Sequence, residues 1–193
     1  FERSSYVGYT ATPFANIFID PDSEDEMLGS DLFPRDFIVT LNPPSNYFGP
    51  ADVFLDSPDV HVRTIEDHHD VLPTRHKIDH PLPELPPSLL HAVRAFVLAR
   101  AIRILRGDDD QHMTMLVNVS RFVVVQGLVE GLVFRHLREI QASVRAYGAL
   151  TWNEASRDPE LARLHEVWSE EYEDLDHEWA DLFPLLRRAA DPI

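Results

Sequence analysis

Between Phe122 and Val144 the apolar residues recur at three-four spacing: Phe122, Val125, Leu128, Val129, Leu132, Val133, Leu137, Ile140 and Val144. Only an α-helix puts such a set on one face. The spacing predicts a long helix over about Arg121 to Tyr147, whose apolar stripe needs neighbours to cover it. Upstream, "PPSLLHAVRAFVLARAIRILRG" supplies a second helix. Ser88 suits its N-cap and Gly107 its C-terminal stop, with the helix running to about Arg106. Its apolar residues cover most of a circumference, so it is expected to be largely buried. Arg94, Arg100, Arg103 and Arg106 lie on that helix and are expected to face solvent or to pair with acids. After the acidic turn 108–110 comes "MTMLVNVS", which reads as a short apolar strand. Helix, strand and helix in that order are the grammar of a parallel sheet covered by helices, so an α/β fold is expected.

The flanking regions read differently. Residues 5–11 carry strand-forming residues, and Thr12 with Pro13 suits a helix start. "FANIFI" is too short for periodicity to decide, and "DPDSEDEMLGSD" reads as a surface loop. "DFIVTL", 36–41, reads as a second strand, stopped by Pro43 and Pro44. Residues 43–87 hold most of the fifteen prolines. Proline lacks the donor that helices and central strands need, so this stretch is expected to be an extended connector. From Asp158, a cap followed by Pro159, a stripe of Leu161, Leu164, Trp168, Tyr172, Leu175, Trp179 and Leu182 predicts a helical tail that Pro184 kinks or ends. Its other face, "EEYEDLDHEWAD", is strongly acidic.

Charge and composition narrow the chemistry. The net charge of -16 repels polyanions at long range, so any nucleic-acid contact must come from a local basic strip. The chain has no cysteine, which removes disulfides, thiolate metal sites and thiol nucleophiles. A cytoplasmic setting is the simplest expectation, and no apolar run is long enough for a membrane span. His61, His68, His69, His76 and His80 crowd into the proline-rich stretch. Their spacing matches no standard zinc pattern, so they are read as a solvated, pH-sensitive loop and no metal site is assigned. Pro58-Asp59 precedes Lys77, but Arg75 stands where a metal nuclease would need a second carboxylate. This segment is therefore not expected to cut DNA by itself.

"GYTATPFAN", 8–16, is similar to motif III of superfamily-two helicases. "DLFPRDFIVTLNPPSNYFG" and "MLVNVSRFVVVQ" resemble the Z-one domain endonuclease family, helicase-like proteins found beside bacterial restriction and defence ATPases. The resemblance implies a partial RecA-like fold. Residues 1–42 would end one RecA-like domain, 43–87 would be a proline-rich connector, 88–150 would begin a second domain, and 151–193 would be an acidic helical insertion. It implies that Thr10 and Thr12 couple nucleotide state to domain movement. It also implies that Ser120 and Arg121, at a strand-to-helix turn, contact nucleic acid. The lone lysine, Lys77, has no glycine near it, so no Walker A loop is present. ATP and magnesium are expected only for a longer parent protein that acts on DNA, of which this chain would be a middle slice. The competing expectation is a non-catalytic module whose acidic tail, residues 158–190, recruits a protein partner.

Overall fold

The structure, a computed structural model, describes residues 7–11 and 37–191. The chain divides into two units, with the boundary between Val62 and Arg63. It therefore falls inside the proline-rich stretch. In the first unit, residues 7–10 and 37–44 have no regular structure and are exposed. A π-turn at Asp52–Asp56 precedes α1, Pro58–His61. The Asp52 carboxylate accepts a hydrogen bond from the Gly49 amide at 2.7 Å, and His61 meets Phe48 edge-on.

The second unit is built on two long helices, α2 (Pro87–Leu105) and α3 (Val123–Tyr147). Four short elements and one longer helix follow: α4 (Trp152–Ala155), α5 (Pro159–Glu171), α6 (Trp179–Leu182), a 3-10 turn (Phe183–Leu185) and α7 (Leu186–Ala190). α5 and α7 each pack against both α2 and α3, closing a helical core. Val97, Leu98, Ile140, Leu161, Leu164, Leu182 and Leu186 are fully buried there. Burying each such side chain contributes about 1.5–3 kcal/mol.

Helix ends follow local chemistry where the signal is local. Gly107 adopts φ 81°. Its amide bonds Ile104 O at 3.1 Å and the Asp108 amide bonds Arg103 O at 2.9 Å, which ends α2 in a Schellman turn. Asp158 Oδ1 accepts from the Glu160 and Leu161 amides, capping α5 as its sequence indicates. Ser88 differs. It lies inside the first turn of α2, and its amide and hydroxyl both donate to Asp67, at 2.8 and 2.6 Å. The cap comes from 21 residues upstream, which no local pattern encodes.

The expected α/β, RecA-like sheet is overturned. Among the described residues there is no β-strand. Residues 112–120 form no helix and no strand. Among the described residues they make no backbone-to-backbone hydrogen bond to another segment, and Leu116 is 90% exposed. Apolar, β-branched residues favour an extended backbone, but a strand exists only when a neighbour completes its ladder. Residues 37–41 likewise form no strand. Leu128, expected on the buried stripe of α3, is exposed. The tail is not one helix. It breaks after Glu171 and resumes at Trp179, and Pro184 sits in the 3-10 turn. The Tyr172 hydroxyl donates to Ala95 O at 3.0 Å at that break. The tail's apolar stripe is the core itself, leaving its acidic side outward.

Candidate nucleic-acid interface

Residues 63–86, the first part of the second unit, are strapped onto its helices. Leu72, Leu82 and Leu85 bury themselves against Val125 and Val129 of α3. Three of this strap's histidines, His68, His76 and His80, are hydrogen-bonded into the fold, while His69 is exposed. His68 Nδ1 lies 3.0 Å from Leu72 O, and His80 Nε2 lies 2.9 Å from Val71 O. Among the described residues no cluster of His, Asp and Glu could hold a metal ion.

His76 carries the strap to the start of α3. Its Nδ1 lies 2.8 Å from Pro73 O, and its Nε2 lies 2.8 Å from Ser120 Oγ. A carbonyl only accepts, so Nδ1 carries a proton. In the neutral ring Nε2 is then the acceptor, and the Ser120 hydroxyl donates to it. The same Oγ accepts from the Phe122 amide at 3.1 Å, and Ser120 O accepts from the Gln126 side chain at 2.6 Å. Ser120 is only 8% exposed. Its polar groups are engaged in fixing the turn.

Arg121 points the other way. It is exposed, and its guanidinium stands 4.9 Å over the Phe122 ring. No acid pairs with it among the described residues. The two residues singled out in the sequence are therefore adjacent but unequal. Ser120 braces the turn from inside, and Arg121 is the group a ligand can reach. His76, bonded to Ser120, has Arg75 and Lys77 as its chain neighbours, and both are exposed. The free first-turn amides of a 25-residue helix add a partial positive charge at the same end. His76 and Gln126 were not legible as site residues, because nothing in their spacing links them to Ser120.

Thr10 belongs to the first unit and is exposed, and Thr12 lies outside the described residues. Lys77, the only lysine, sits in the strap with no glycine loop around it, so the described residues do not fit a nucleotide phosphate cradle of the Walker type.

A second polar cluster lies deep between α2, α3 and α5. Arg94 is buried and grips Glu160 through two bonds, at 2.7 and 2.9 Å. His136 Nε2 lies 3.9 Å from Glu160, buried and without a hydrogen-bond partner among the described residues. Burial pushes the His136 pKa below the ordinary histidine value, against the opposing pull of Glu160. Nearby, Glu171 binds both Arg63 and His91, and its bond to Arg63 holds its carboxyl below the usual range.

Fold and site together define a helical module with a basic turn at the start of its longest helix. Residues 88–193, more than half of the chain, match the family model of the Z1 domain, and the chain belongs to that family. No curated protein and no solved structure matches the chain. No helix among the described residues is long and apolar enough to cross a membrane.

Proposed function

We propose that this chain is the DNA-contacting helical part of a helicase-like, ATP-dependent DNA-processing protein of a bacterial restriction or defence system. The observation that carries the reading is the His76–Ser120 bond. It fastens the strap to the start of α3, so that the exposed Arg121 stands at the positive end of a long helix and the chain neighbours of His76 are Arg75 and Lys77. Such an end favours phosphate, and arginine offers a planar donor fork that matches it. Family membership and the resemblance at "GYTATPFAN" support the larger context. In that context Thr10 and Thr12 relay nucleotide state, while ATP and magnesium are held by other parts of the parent protein.

Reversing Arg121 tests the site. Arg121→Glu in this chain should weaken DNA binding, measured by fluorescence anisotropy at low salt, with the thermal midpoint unchanged. In the parent protein, the same change and the Thr10→Ala/Thr12→Ala pair should each reduce DNA-stimulated ATP turnover. Unaltered DNA affinity in a folded Arg121→Glu chain would remove the basis of the reading.

A further inference from the structure

The basic character of the α3 start continues along the helix. The side of α3 opposite Val125, Val129, Ile140 and Val144 carries Val124, Leu128, Gly131, Arg135, Arg138 and Ala142. All six are exposed, and none is acidic. Arg135 has no acid partner among the described residues, and neither does Arg138, whose Nε bonds Phe134 O within its own helix. Glu130 and Glu139 of the same helix lie to either side of this face. Glu139 sits 3.6 Å from buried His136. Farther on, Arg145 is held by Asp191.

In the second unit Arg63, Arg94, Arg145, Arg163 and Arg188 each have a carboxylate. Arg75, Arg103, Arg106, Arg121, Arg157 and Arg187 have none among the described residues, so what sets Arg135 and Arg138 apart is their place on an exposed helix face free of acids. Gly131 and the neighbouring Gly127 leave the helix surface bare, since a Cβ on either would meet nothing within 4 Å. Glycine is among the least favoured residues inside a helix, so helix propensity does not account for them.

From this charge complementarity we infer that the outward face of α3 is a track for one nucleic-acid strand, running from Arg121 past Val124 and Leu128 to Arg135 and Arg138. The inference deepens the proposed function and rests on it. The helical part of the track spans about 20 Å. Arginines at its two ends meet phosphates, and the apolar stretch between them meets base faces. A duplex shows phosphate and sugar on its outside and would leave Val124 and Leu128 against charge. The occupant is therefore a single strand.

The test uses this chain and a fluorescein-labelled oligothymidylate. Arg135→Glu/Arg138→Glu should weaken binding about tenfold and lower the slope of log affinity against log salt by roughly 1.4, the value for two lost phosphate contacts on a single strand. Arg135→Gln/Arg138→Gln should show the same slope change with a smaller affinity loss, and its neutral side chains guard against a folding artefact. An unchanged affinity and slope in either folded variant overturns the track. So does equal binding of a duplex, or displacement of the oligonucleotide by polyglutamate at matched charge, which would mark an acidic-protein surface. If Arg121→Glu weakens binding while the Arg135/Arg138 variants do not, the track fails and the α3 start survives as the DNA site. The reverse result would move the site onto the helix face.

Discussion

Arg94 on α2 and Arg138 on α3 carry the same charge in opposite settings. Arg94 is buried and held at both ends of its fork by Glu160. Arg138 is exposed and has no acid partner among the described residues. The first is committed to joining α2 to α5. The second is available to something outside. Burial makes the difference. A buried charge must be matched within the fold, whereas an exposed one is held in water at little cost and can be matched by a ligand.

The sharpest way to break that comparison is to remove one partner. Glu160→Ala leaves the Arg94 guanidinium buried and uncompensated, and should destabilise the chain by about 3–5 kcal/mol in urea unfolding. Replacing both with leucine should restore most of the loss. The corresponding change at Arg138 should alter stability by less than about 0.5 kcal/mol, since it touches no buried group. If Glu160→Ala proved as mild as Arg138→Ala, the buried pair would not be the joint described here.

A second test uses pH. Burial lowers the pKa of His136 and of His165, which is stacked against Trp152. Both titrate lower in the folded chain than in the unfolded chain. The unfolded state therefore takes up protons first as pH falls below the ordinary histidine value of about 6.5. Stability is full above that value and declines through the window beneath it. Glu171 acts lower down: its stabilisation is present above the ordinary carboxylate value and is lost as pH drops further. The thermal midpoint should therefore fall on going from neutral pH to mildly acid pH. His136→Leu should shrink that fall, and an undiminished fall would discount His136.

A small gain is expected at the glycines of α3. Gly127→Ala and Gly131→Ala enter open space and should each raise stability by up to about 1 kcal/mol in thermal unfolding. A loss of stability would mean that the exposed face is more crowded than the structure shows.

Much of the helical skeleton could be read from residue order. The α3 helix with most of its stripe, the Gly107 stop and the Asp158-Pro159 start appear where pattern and capping chemistry put them. The sheet was misread at "MLVNVS". Its residues favour extension, but a ladder needs a partner segment, and pairing is not a property of a single stretch. The candidate site was half legible. Ser120 and Arg121 could be singled out, yet their division of labour depends on His76, 44 residues away.

By itself, then, the sequence determined which stretches coil into helices and where several of them stop, because those choices rest on contacts within a few residues. Tertiary structure alone decided which arginine is buried and which is exposed, that Asp67 caps a distant helix, and that a proline-rich strap braces the start of α3. These outcomes rest on contacts between residues far apart in the chain, and local propensity carries no record of them.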